Sequence, residues 1–91
     1  MEFEWDDAKA ARNLRVHGVS FDEAMTTFND PLALTDADEE HSNKEARFML
    51  LGMSREGRLL MTVFAGRGES IRIISSRRAT RREVRGHEKG I

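Results

Sequence analysis

The residues able to do chemistry concentrate in the last third of the chain. Residues 71–78 read Ile-Arg-Ile-Ile-Ser-Ser-Arg-Arg and residues 79–87 read Ala-Thr-Arg-Arg-Glu-Val-Arg-Gly-His, a short apolar strand studded with arginine that runs into an arginine-rich helix. Arginine carries a planar, permanently charged fork that matches phosphate oxygens, so nucleic acid is the first partner implied. Arg78, Arg82, Arg85 and Lys89 follow at spacings of four, three and four, which lines them along one side of the helix after Thr80. That helix has little apolar content beyond Ala79 and Val84. It is expected either to be ordered by a partner or to stand as a solvated basic face.

His17, His41 and His87 are the acid–base candidates by residue type. None has a second ligand at metal-binding spacing, so no metal site is expected. His17 lies at a predicted helix end, where interaction with free carbonyls is the ordinary role. His41 sits in an acidic stretch near Glu45. His87 is four residues after Glu83, so that carboxylate could orient the ring, although Glu83 also fits as a helix-capping acid. Nothing matches a nucleotide-binding glycine loop, a zinc pattern or a nucleophilic serine or cysteine site, and no cofactor is implied.

The net charge of −1 hides two opposed halves. Residues 1–46 hold 12 acids and 4 bases, net −8, whereas residues 47–91 hold 4 acids and 11 bases, net +7. A basic half can follow a phosphodiester backbone or an acidic protein, and an acidic half can solubilise or dock. With 91 residues the chain is expected to form a single domain over 1–91, burying roughly 60–65% of its unfolded surface. Cysteine is absent, which excludes a disulfide framework and thiolate chemistry. No apolar run reaches the roughly 18 residues of a membrane span and the start lacks a signal pattern, so a cytoplasmic protein is expected.

The elements that must position these residues follow from local pattern. Phe3 and Trp5 alternate with glutamates, as in a short edge strand. Asp6 can cap a helix over Asp7–Val16, with Ala8, Ala11 and Leu14 on one face and Gly18 as its left-handed stop. Ser20-Phe-Asp-Glu23 has capping-box spacing, and Phe21, Ala24, Met25 and Phe28 make an amphipathic second helix closed by Asn29-Asp30-Pro31. Leu32–Thr35 is expected to extend, and the polar stretch Asp36–Lys44 to form a mobile loop. Strands then occupy Arg47–Met53, Arg58–Ala65 and Ser70–Arg78, linked by Ser54–Gly57 and Gly66–Glu69 as hairpins. Thr80-Arg-Arg-Glu83 repeats the capping box and opens a last helix. The expected class is α+β, with two N-terminal helices packed on an antiparallel sheet and a C-terminal helix. With four-residue loops and flush ends, Arg58 opposes both Met53 and Arg77, and Arg47 opposes Phe64. Arg47, Arg58 and Arg77 would then share a face, with the Arg58/Arg77 pair acting as a phosphate clamp or partner socket. A slip of one residue would move one of them across the sheet.

Beyond these local readings, Phe3-Glu-Trp-Asp6, Lys9, Asn13, His17-Gly-Val-Ser-Phe21, Glu23-Ala24, Phe28, Asp30-Pro31, His41-Ser42, Glu45, Arg47, Gly52, Ser54, Gly57-Arg58, Ile71-Arg-Ile-Ile-Ser-Ser-Arg77, Ala79-Thr80 and Glu83 together resemble the BrnT family of bacterial type II toxins. The similarity runs over essentially the whole chain. It implies an endoribonuclease toxin of RelE-like fold, neutralised by a BrnA-type antitoxin that has a ribbon-helix-helix region. It further implies assemblies of two toxins with two antitoxins, in which only the antitoxin reads DNA. RNA, free or ribosome-associated, is the implied substrate, and inhibition of translation and growth the implied outcome.

Metal-free cleavage of RNA needs a base for the 2′-hydroxyl, an acid for the leaving 5′-oxygen and cations around the phosphorane. On that expectation Arg47, Arg58 and Arg77 bind phosphate and stabilise the transition state, with Arg72 in reserve. His17, His87 and Glu83 are the proton-transfer candidates, and Arg72, Arg78, Arg82, Arg85 and Lys89 contact RNA or antitoxin. Many relatives carry tyrosine where His87 stands, and this chain has no tyrosine. Either His87 takes over an acid–base or stacking role, or the position is not catalytic. The competing expectation is a binding-only protein, a decayed toxin whose arginines grip without cleaving.

Overall fold

The computed structural model describes residues 1–41 and 45–89, apart from the side chain of His41. The elements run β1 (Glu2–Glu4), α1 (Asp7–His17), α2 (Phe21–Thr26), a 3₁₀ turn (Thr27–Asn29), β2 (Leu34–Ala37), a second 3₁₀ turn (Glu39–His41), β3 (Arg47–Met53), β4 (Leu59–Arg67), β5 (Ser70–Arg78) and α3 (Arg81–Lys89). The strands form one sheet in the order β1-β5-β4-β3-β2. The class is α+β, but the sheet is mixed rather than antiparallel, because β1 joins β5 in parallel. Hairpins enforce antiparallel pairing only between chain neighbours, and β1 reaches β5 through the rest of the fold. No described helix is long and apolar enough to cross a membrane.

Local capping works as its residue types dictate. Asp6 accepts from the Lys9 amide at 3.0 Å, Ser20 Oγ accepts from the Glu23 amide at 3.0 Å, and Gly18 closes α1 at φ 69°. The second helix is shorter than expected, tightening after Thr26 into the 3₁₀ turn that carries Phe28. Where a mobile loop was expected, Asp36 and Ala37 belong to β2 and Asp38 is buried with its amide on the Arg47 carbonyl at 2.8 Å. The rest of that stretch, residues 42–44, and the His41 side chain lie outside the described part.

Phe21, Ala24 and Ile73 form the core, with Phe3, Trp5, Ala10, Met25 and Phe28 packed against it. An aromatic chain ties the layers together: Phe28 meets both Phe3 and Phe64 edge-on with ring centres 5.0 Å apart. The helices therefore cover the sheet face that carries Phe64 and Ile73.

Helix α1 is rotated from the expected orientation. Ala10 and Asn13 face inward, while Leu14 is 53% and Val16 60% exposed. The cause lies on β5, which pairs with β1 only through Ser70–Arg72 and has no strand partner beyond on that side. Asn13 fills the gap: it accepts from the Ser76 amide at 3.0 Å and donates to the carbonyls of Ser76 at 2.7 Å and Val19 at 2.9 Å. Leaving those backbone groups buried and unpaired would cost roughly 1–3 kcal/mol each, more than α1 loses by exposing one leucine.

Candidate functional site

Loop length decides which arginines can meet. The first hairpin closes with a three-residue loop rather than four: the Ser54 amide donates to the Arg58 carbonyl at 2.8 Å and Gly57 takes the left-handed position at φ 82°. The second closes on two residues, Gly68 and Glu69, because Arg67 pairs with Ser70 and Gly68 sits at φ 62°. A positive φ at the first loop residue matches the twist of a two-residue hairpin. A bulge then inserts Ile74, so that Val63 opposes Ser75 while Phe64 opposes Ile73. Arg47 and Arg72 thus both flank Ala65, and Arg77 opposes Met61 on that same face. Arg58 opposes Ser54 and lies on the helix side with Arg78, which opposes Leu60.

The expected face shared by Arg47, Arg58 and Arg77 is therefore not formed, and neither is the Arg58/Arg77 clamp. Each of these two arginines instead meets a carboxylate. Arg58 donates from Nε to Glu23 at 2.9 Å and through Nη2 to the other Glu23 oxygen and to the Gly18 carbonyl at 3.1 Å. Ser54 Oγ donates to the same carboxylate at 2.7 Å. The Arg58 fork holds Glu23, which is only 7% exposed, ionised below the ordinary glutamate range, and Ser54 adds to the effect. Arg77 grips Glu83 with both forks, at 2.8 and 2.9 Å. Together with the Thr80 amide at 2.8 Å, this lowers the Glu83 carboxyl to about 2. Arg72 is likewise ion-paired, to Glu45.

Glu83 is thus the capping-box acid and an anchor for Arg77, with His87 not among its partners. His87 is 7% exposed and its Nε2 is buried without a hydrogen-bond partner. It lies near Asp30, whose carboxyl is held low chiefly by the Met53 and Leu32 amides and further by the charge of His87. Arg82, Arg85 and Lys89 are exposed along α3, but Arg78 ends β5 opposite Leu60 and is not part of that helical stripe.

His17 falls in a different place. It lines an open cleft of about 300 Å³ with Lys9, Arg12 and Val16 of α1 and Ser75 of β5. Asn13 and the bulged Ile74 complete the wall, and among the described residues no carboxylate contributes to it. Lys9 entered the sequence reading only as one of the residues of the family resemblance, with no role, and Arg12 did not enter it. At positions 9, 12 and 17 the three spread over roughly 140° of the helix, a broad face rather than one row, and it is the cleft that brings them together. Glu23 was visible only as a capping acid, because Arg58 lies 35 residues away in sequence.

The molecule is a small α+β protein with an exposed basic helix and a second, cationic cleft. The family model for the ribonuclease toxin BrnT of type II toxin-antitoxin systems matches residues 5–83, and the chain belongs to that family. Its fold is similar to the crystal structure of the Brucella abortus ribonuclease toxin BrnT, with TM-score 0.70 and 23% identity, covering 89% of this chain and 99% of that one. No curated protein matches the chain.

Proposed function

We propose that this chain is a metal-independent endoribonuclease toxin of RelE-like architecture that blocks translation and growth in the cytoplasm. A BrnA-type antitoxin with a ribbon-helix-helix region neutralises it, in assemblies of two toxins with two antitoxins. The observation that carries the reading is the exposed basic stripe of α3, set in a chain of the BrnT ribonuclease-toxin family. A row of cations on one helical side follows a phosphodiester backbone or meets an acidic inhibitor, and one surface serving both makes neutralisation a matter of occlusion.

A binding-only protein is the second reading, and a specific observation favours it. Arg58 and Arg77, expected to clamp phosphate, each already face an ionised carboxylate. Product chemistry separates the two. Purified protein, incubated in EDTA with free RNA or with a translating extract, should generate 2′,3′-cyclic phosphate ends, and added antitoxin should stop it. Inducible expression of wild type and Arg77→Ala, followed by growth and RNA integrity, extends the test. Arrest with RNA loss in the wild type supports a ribonuclease, whereas healthy growth with intact RNA and soluble protein supports binding alone.

A further inference from the structure

We propose that the cleft between α1 and the bulged stretch of β5 is the place where an RNA strand is cut, an inference that rests on the ribonuclease reading above. Lys9 and Arg12 hold the scissile phosphodiester, and His17 takes the proton of the neighbouring 2′-hydroxyl.

Three features of the cleft lead here. The first is charge without compensation. Among the described residues, no Asp or Glu lines the wall that Lys9, Arg12 and His17 share, and none of the three forms an ion pair. Arg58, Arg72 and Arg77 are each neutralised within the fold. A cation already paired with a carboxylate must lose that partner before it can grip phosphate, whereas an unpaired one gains charge-assisted hydrogen bonds directly.

The second feature is rigidity. This face of α1 is held against the β5 edge by Asn13, whose three hydrogen bonds to Val19 and Ser76 are buried. The register of β5 shifts at Ile74, and both Ile74 and Ser75 line the wall. The third is composition: Val16 and Ile74 supply an apolar surface for a base or ribose beside the polar groups. The volume, about 300 Å³, lies at the lower end of the range for small-ligand sites.

The step balances with groups that are present. Neutral His17 accepts the 2′-hydroxyl proton as the 2′-oxygen bonds to phosphorus. The bond from phosphorus to the 5′-oxygen breaks, and that oxygen takes a proton from water in the open cleft. The resulting hydroxide is neutralised by the imidazolium proton, leaving a 2′,3′-cyclic phosphate and a 5′-hydroxyl. Lys9 and Arg12 face the extra negative charge of the phosphorane, where fixed cations act most strongly.

Because Lys9, Arg12 and His17 are all exposed, their substitution leaves the core intact and the variants should fold. Cleavage is measured on free RNA and in a translating extract, and affinity is measured with an oligonucleotide carrying a 2′-deoxy sugar at the cut site. His17→Ala should lower cleavage by about 100-fold or more while binding the deoxy probe like wild type. Lys9→Gln with Arg12→Gln should weaken that probe and reduce the slope of log affinity against log salt by roughly 1.4, for two lost phosphate contacts. Arg15→Gln, a single charge loss on α1 outside the cleft, should change neither. Wild-type rates in both the His17 variant and the double variant would overturn this site and leave the ribonuclease reading standing. A wild-type protein that leaves RNA intact in both settings would overturn both.

Discussion

At the sheet end where β3 and β5 finish and β4 starts, Arg58 and Arg77 each meet a carboxylate, whereas the cleft along α1 holds Lys9, Arg12 and His17 with no acid in its wall among the described residues. Both regions are rich in cations, yet they are built for different work. At the sheet end the guanidiniums act as fasteners: Arg58 joins the first hairpin to α2 through Glu23, and Arg77 joins β5 to the start of α3 through Glu83. Internal pairing cancels their field and commits their hydrogen bonds. In the cleft no described carboxylate pairs with the charge, which is what the proposed RNA site relies on. Counting arginines in the sequence marks the basic half correctly, but it does not separate cations that hold the fold from cations that face a ligand.

The contrast can be broken at its two ends. The largest stability effect is expected at Asn13, which supports the cleft. Asn13→Ala strands the Ser76 amide and two buried carbonyls and should lose about 3 kcal/mol, seen as a fall in the denaturation midpoint. Cleft function should fall with it, because that face of α1 loses its anchor. Next comes Glu23→Ala, which removes the acceptor shared by Arg58 and buried Ser54. It should lose about 2 kcal/mol, roughly 8–16 °C in melting temperature for a domain of this size. RNA cleavage per folded molecule should be retained, and a cleavage loss exceeding the loss of folded protein would place that network in the active site after all.

A smaller effect tests the Arg77 fastener. Glu83 has its carboxyl lowered from the usual 4.5 to about 2 in the fold. Its contribution to stability is therefore complete above pH 4.5 and disappears as pH falls from there toward 2. Glu83→Gln should cost about 1 kcal/mol at neutral pH, flatten the acid limb of stability within that window, and lose its effect toward pH 2. The smallest effect is expected at Leu14, which is 53% exposed. Leu14→Ser should stay within about 0.5 kcal/mol, whereas a large loss would restore the apolar orientation first assigned to α1.

Much of the fold was legible because it rests on chemistry within a few residues. Asp6, Ser20 and Thr80 each cap as their spacing predicts, and Gly18 ends α1 in the left-handed conformation. The orientation of α1 was not legible, since apolar periodicity favours Leu14 over Asn13 and says nothing about a strand edge 63 residues away. The candidate site was legible in part. His17 stood out by residue type and the α3 stripe by its spacing, but Lys9 and Arg12 acquire meaning only once Ser75 lies across from them.

The sequence by itself determined the α+β class, the starts of the helices, the division into acidic and basic halves and the membership in a toxin family, because propensity, capping and composition are properties of neighbouring residues. Only the tertiary structure decided which arginines are paired and which cations remain open. That outcome depends on two loop lengths and one bulged residue, Ile74. In a pleated sheet a shift of a single position moves a side chain to the opposite face, so these details control the partners of every arginine on β4 and β5.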